Sequence, residues 1–171
     1  MQDTTVPQAP PTASRAARIG TAALYLLGPL LAGGIGGIVT TSNIASWYQT
    51  LDRPSWTPPD WLFGPVWTAL YICIGIAGWL VARRGERQLV RLWWVQFVLN
   101  ALWSPVFFGL HQVAVAAMII LGMWGAIAAF VLGARRRIVV AALLFLPYLL
   151  WVSYATALTL EVWRRNGIAP D

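Results

Sequence analysis

Lysine is absent from the 171 residues, and the chain has only six aspartates and glutamates, one histidine and one cysteine. With so few carboxylates and imidazoles there is little material for acid–base catalysis, which needs positioned titratable groups. A lone histidine, His111, cannot assemble the three or four ligands of a zinc site, so no metal centre is expected. The single cysteine, Cys73, excludes an intrachain disulfide, and its place in an apolar run reads as a small buried hydrophobe. Charged residues are 11% of the chain, against about 25% in ordinary soluble domains.

What is abundant is apolar: 58% of residues are hydrophobic, eleven are tryptophan, and the mean hydropathy is +0.65. Disordered chains are polar and poor in aromatics, so that class is excluded too. The solvent of most of this chain is lipid. A net charge of +6 could suggest nucleic acid. The twelve arginines, however, sit in short clusters beside apolar runs. That is the pattern of membrane flanks, and no nucleic-acid partner is expected.

Five apolar runs approach the roughly 20 residues needed to cross the hydrocarbon core. They are Ile19–Thr41, Trp61–Ala82, Leu92–Leu110, Val113–Leu132 and Ile138–Leu160, and none contains Asp, Glu, Lys, Arg or His. Backbone groups in lipid must be satisfied within the segment, so the runs are helices. The fold class is an all-α integral membrane protein, a five-transmembrane-helix bundle in one domain over residues 19–166. Residues 1–18, rich in Pro, Ala and Thr, read as a disordered tail, and 167–171 as a short C-terminal one. Pro29, Pro105 and Pro147 fall within spans and are expected to kink them. Nine arginines fall on the side of the N-terminus and three on the other. The positive-inside rule then puts the N-terminus in the cytoplasm and the loop Ser42–Asp60 outside.

Tryptophan in membranes commonly anchors a helix at the interface, and Trp79, Trp93, Trp94 and Trp163 lie near span ends as that role requires. Trp124, deep in the fourth span, faces lipid or fills packing. Trp67, Trp103 and Trp151 differ: a rise of about 1.5 Å per residue puts them roughly 9–13 Å below the outer ends of three different spans. Gln96, Asn100, Trp103 and Phe107 follow helical spacing, and amides in lipid normally face the bundle interior or a cavity. Trp151 shares a face with Ala155 and Thr159, as Trp67 does with Tyr71 and Gly75. These residues predict an aromatic-walled cavity opening outward, suited to a flat apolar ligand. The first external loop, with three prolines and several large aromatics, predicts a lid over it. Gly28, Ala32 and Gly36, and Gly33 with Gly37, form small-residue faces for packing within the bundle or between copies.

The run Trp47-Tyr48-x2-Leu51-x-Arg53-Pro54-Ser55-Trp56-x-Pro58-Pro59-x-Trp61-x2-Gly64-Pro65-Val66-Trp67 resembles the translocator protein family (TspO/MBR). Two later blocks resemble it too: Gln96-x2-Leu99-Asn100-x2-Trp103-x-Pro105-x-Phe107-Phe108-Gly109 and Pro147-Tyr148-Leu149-x-Trp151-x3-Ala155-Thr156-x-Leu158. This family includes bacterial tryptophan-rich sensory proteins and the mitochondrial peripheral-type benzodiazepine receptor. The resemblance implies a five-helix bundle, commonly a homodimer, in a bacterial cell membrane. It also implies binding of porphyrins, including haem and protoporphyrin, of sterols and of benzodiazepine-type ligands, with porphyrin as ligand and no required cofactor. The positions matching the family's pocket are Tyr48, Trp67, Asn100, Trp103, Phe107, Trp151 and Ala155. Bacterial members are associated with light- and oxygen-dependent porphyrin breakdown, which makes Trp67 and Trp151 the catalytic candidates if porphyrin is degraded. Thr159 stands where the family often has Asn. Leu160 stands where mitochondrial members carry the Tyr of a proposed cholesterol motif, although the reversed pattern Arg91-x5-Phe97-x-Leu99 is present.

The leading expectation is therefore a membrane receptor or carrier for porphyrins, acting in tetrapyrrole regulation or stress response. A porphyrin-degrading enzyme is the alternative. Ion transport is disfavoured because the spans have no ionisable residues, although passage of an apolar ligand stays open.

Overall fold

The computed structural model describes residues 15–167, and five helices within them are long and apolar enough to cross a membrane. They are α1 (Arg15–Asn43), α2 (Phe63–Arg83), α3 (Arg87–Ser104), α4 (Val113–Ala134) and α5 (Val139–Asn166). Helix α1 begins inside the stretch read as a tail. The rest of that tail, residues 1–14, and positions 168–171 lie outside the described residues.

Several boundaries differ from the apolar runs, and three of them have an identifiable local cause. Beyond Thr41 the helix continues through polar residues, because their hydroxyls bond back onto the preceding turn. Thr40, Thr41 and Ser42 donate to the carbonyls of Gly36, Gly37 and Ile38 at 2.9, 2.9 and 3.0 Å. A π-turn over Ile44–Tyr48 follows, so Trp47 and Tyr48 belong to a helical extension and not to a loop. At the end of α3, Pro105 opens a second π-turn, Pro105–Gly109, and ends the α-geometry there instead of kinking a continuing helix. Helix α5 runs on to Asn166, its last turn held by Glu161 pairing with Arg164 and Arg165 at 2.7 and 2.8 Å. Cations are favourable at a helix C-terminus, and Gly167, at φ 76°, stops the helix.

The helices close into a ring in the order α1, α2, α5, α4, α3, with α3 returning to α1. At one end, Arg137 pairs with Glu86 at 2.8 Å, tying the two arginine-rich connections together. The opposite end holds Asp52, Arg165 and Asn166.

Lipid is as apolar as leucine, so the ring is held by close packing and internal hydrogen bonds. Phe130 stacks on Phe145 with centroids 4.0 Å apart, both fully buried. Trp93 corrects its expected role as an interfacial anchor: it is 0% exposed and donates its indole N–H to the Ile74 carbonyl at 2.9 Å. Because α3 starts at Arg87, Trp93 sits nearly two turns inside the helix and faces α2. Gly78 makes room for it, since a Cβ there would run into the Trp93 and Tyr25 rings. Trp79 keeps the anchor pattern, half-buried with the Arg83 guanidinium 4.4 Å from its ring centroid. Trp163 is also half-buried, but its indole N–H is enclosed without a partner. Trp124 is exposed on the bundle surface and donates to Ser153 Oγ at 2.8 Å.

Of the small-residue faces on α1, Gly33 is used inside the bundle, against the Tyr71 ring, while nothing lies within 4 Å of a Cβ at Gly28 or Gly37. At Gly75 of α2 the backbone of α1 is the neighbour: an added Cβ would sit 2.8 Å from the Tyr25 carbonyl oxygen. Backbone cannot yield as a side chain can. Gly75→Ala is therefore expected to destabilise the protein by about 1–3 kcal/mol despite alanine's better helix propensity. Gly125→Ala, where nothing lies within 4 Å, is expected to be neutral or stabilising. Thermal unfolding of both variants in one detergent measures the difference.

Candidate functional site

A cavity of about 330 Å³ lies inside the ring and is lined by residues of all five helices. That is near the lower end of ligand pockets, which run from about 300 to 1,000 Å³. Five of the seven expected pocket residues line it: Trp67 from α2, Asn100 and Trp103 from α3, Trp151 and Ala155 from α5. The three tryptophans placed at one depth by helical rise thus share one wall system. Trp67 stacks on Tyr71 at 5.3 Å, and Trp151 meets Phe63 edge-on at 6.0 Å. The indole N–H groups of Trp103 and Trp151 are buried without a hydrogen-bond partner. An unpaired buried donor is costly, typically about 1–3 kcal/mol.

Tyr48 and Phe107 do not line this cavity. Both are 3% exposed and form a second cluster with Phe108 at the end of the bundle away from the Glu86–Arg137 pair. The π-turn after Pro105 is the cause. Its extra residue per turn breaks the α-helical register that put Phe107 on the Asn100–Trp103 face, and Phe108 lines the cavity instead. Phe107 stacks behind Trp103 at 5.1 Å, and Tyr48 meets Phe107 edge-on at 6.1 Å. They back the Trp103 wall.

Two tyrosines outside the expected pocket set complete the site. Tyr71 lines the cavity, and its hydroxyl donates to Asn100 Oδ1 at 3.1 Å. Asn100 Nδ2 donates to the Tyr148 oxygen at 3.2 Å, and Tyr148 donates to Gln96 Oε1 at 2.9 Å. Gln96 Nε2 ends the chain on the Trp93 carbonyl at 2.8 Å. Gln96 and Tyr148 are fully buried, which confirms that α3 turns its amides inward. The available signal for Tyr148 was its hydroxyl: a polar group deep in an apolar span must find a partner.

The cavity's exposed lining residues include Gly34, Gly37 and Thr41 of α1 and Gly64 and Thr68 of α2. It therefore opens along the α1–α2 seam, sideways through the bundle wall. The segment Leu51–Pro59 crosses from α1 to α2 and is fastened to α5. Asn166 and Asp52 exchange two hydrogen bonds, Asp52 N–H to Oδ1 at 2.9 Å and Nδ2 to the Asp52 carbonyl at 3.0 Å. Tyr154 donates to the Trp56 carbonyl at 2.7 Å. The Arg53 guanidinium lies 4.9 Å from the Tyr48 ring centroid; burial pushes the Tyr48 phenol above its ordinary pKa, and Arg53 opposes that shift. The loop is thus clamped across the ends of three cavity-lining helices.

The model of the TspO/MBR family matches residues 25–164. The chain is similar to Tryptophan-rich protein TspO of Chlorobaculum tepidum, 40% identical over 149 residues that cover 82% of this chain and 92% of that protein. It is 36% identical to Protein CrtK of Rhodobacter capsulatus over 84% of this chain and 91% of that protein. It is also 36% identical to the Translocator protein of Homo sapiens, over 83% of this chain and 88% of that protein.

The clamp gives a direct test. Asn166→Ala removes both bonds to Asp52, and backbone amides of Asp52–Thr57 are expected to exchange with deuterium several-fold faster while α4 amides are unchanged. Unchanged protection in the loop would show that Asn166 does not hold it.

Proposed function

The chain belongs to the TspO/MBR family, and from that premise we propose that it is a membrane receptor or carrier for porphyrins. The ligand, haem or protoporphyrin, lies in the cavity between Trp67, Trp103 and Trp151. One observation carries this reading: three indoles from three helices line a single apolar cavity. Flat aromatic faces suit a flat conjugated ligand, which gains by stacking as well as by burial. Asn100, which lines the cavity, adds a polar group of the kind that orients a ligand in such a pocket. Smaller benzodiazepine-type ligands fit the same walls. The seam between α1 and α2 serves as an entry for molecules dissolved in lipid. Pairing of two copies, with the N-terminus in the cytoplasm, belongs to the same proposal.

Titration of protoporphyrin into the protein in nanodiscs is expected to quench tryptophan fluorescence saturably. Trp151→Phe removes part of one wall and should weaken binding by about three- to tenfold. Equal, weak, unsaturable quenching of both proteins would rule the site out.

A degradative activity would use the same cavity, with Trp67 and Trp151 facing the bound ring. Illumination of the porphyrin complex in air is then expected to yield a bilin-like product with the wild type and not with Trp67→Phe. Absence of that product in the wild type leaves binding alone as the function.

A further inference from the structure

The two ends of the bundle use their arginines differently. At the end that holds Asp52, each arginine among the described residues has a partner inside the protein. Arg53 donates to Gln49 Oε1 at 2.7 Å, and Arg164 and Arg165 pair with Glu161 at 2.7 and 2.8 Å. At the other end, the two connections and the start of α3 hold seven arginines and a single carboxylate, Glu86. Arg137 takes that carboxylate at 2.8 Å. Arg135 and Arg136 are exposed and, among the described residues, have no hydrogen-bond or ion-pair partner.

Five of the seven crowd one corner, where the end of α2 meets the start of α5. Arg84 is exposed, and its Nη1 donates to the Arg137 carbonyl at 3.4 Å, which brings the α2 terminus against the Arg135–Arg137 turn. Helix C-termini attract cations, and that accounts for one guanidinium at the end of α2 and one at the end of α4. It does not account for five, which repel one another. Two further observations describe what would relieve the repulsion. Trp79, half-buried under the Arg83 guanidinium at 4.4 Å, has the pattern of an interfacial anchor and so sets this corner at headgroup depth. Directly below the arginine turn, Val139, Leu143, Leu146 and Leu150 follow one face of α5 at helical spacing, and all are between 40% and 71% exposed. A cationic head above an open apolar stripe is the complement of an anionic amphiphile.

We propose that the α2–α5 corner binds an anionic phospholipid, its phosphate held by Arg84, Arg135 and Arg136 and an acyl chain lying along the α5 stripe. Guanidinium groups suit this ligand because their planar fork meets two phosphate oxygens at once, and the chain contains no lysine. Basic pockets between transmembrane helices are known receptors for anionic headgroups, and the cytoplasmic leaflet is the anionic one. With the N-terminus in the cytoplasm, as proposed above, the corner faces that leaflet. The site lies on the outside of the ring and is independent of what the cavity binds.

The test compares spin-labelled phosphatidylglycerol with spin-labelled phosphatidylcholine of the same acyl chains, in phosphatidylcholine vesicles containing the whole protein. The motionally restricted fraction of each label, read by electron paramagnetic resonance, gives the relative affinity of the two lipids. Wild type is expected to prefer phosphatidylglycerol by about five- to tenfold at low salt. Arg84→Gln and Arg136→Gln should each lower the ratio about two- to threefold, since exposed charges are partly screened. Arg91→Gln removes the same charge at the same end, but from α3, which does not adjoin α5 in the ring, and should leave the ratio unchanged. All three side chains are exposed, so thermal unfolding in detergent is expected to be unaltered.

A wild-type ratio near one overturns the proposal. An equal loss in all three variants overturns it too, because the preference would then come from the diffuse field of the arginine-rich end. Inorganic phosphate in place of chloride at equal ionic strength should not change the ratio. Loss of the preference in phosphate would make the corner a site for a free anion and not for a lipid.

Discussion

No water reaches the middle of a bilayer, so every amide and hydroxyl placed there must be paired inside the protein. That constraint governs this bundle through Gln96, Asn100, Tyr71 and Tyr148. Their bonds join α2, α3 and α5 at the floor of the cavity, where packing alone would allow the helices to slide. Each such bond contributes modestly in lipid, on average about 0.6 kcal/mol, because unfolded helices also find partners there. Their larger effect is on geometry. Only one rotation of α3 satisfies both amides, and that rotation brings Trp103 to the cavity and Trp93 against α2.

Glycine provides the complementary condition. Where Gly75 lets the backbone of α2 approach Tyr25 and Leu26, and Gly78 admits the Trp93 ring, α1, α2 and α3 pack closely. Further along α1, Gly34 and Gly37 have no side chains with which to close the seam, and the cavity stays open along it. One residue type thus serves dense packing at one depth and access at another.

The bundle was legible in the sequence because charge and hydropathy alone separate spans from loops: all twelve arginines and six carboxylates fall outside the apolar runs. The cavity was legible in part. Helical rise and amide placement suffice to bring Trp67, Asn100, Trp103, Trp151 and Ala155 together, since these lie on regular α-helix. Phe107 follows from local geometry that α-periodicity does not describe, the π-turn after Pro105, and Tyr48, expected in the pocket only through the family resemblance, lies on the other π-turn beside it. Trp93 was misread for a related reason, a helix start five residues before its apolar run. Tyr148 was visible but given no role, because a tyrosine in a span reads as packing until its hydroxyl partner is known. In each case the missing information was tertiary: which backbone carbonyl or ring lies opposite.

The central claim is that the tryptophan-walled cavity is where a porphyrin binds. A structure of the protein in nanodiscs with an iron or zinc porphyrin, located by the scattering of its metal, tests this most directly. Planar density between Trp67, Trp103 and Trp151, within hydrogen-bond reach of the Asn100 amide, is expected. Porphyrin density on the outer surface of the bundle or between two copies, with the cavity unchanged, would contradict it.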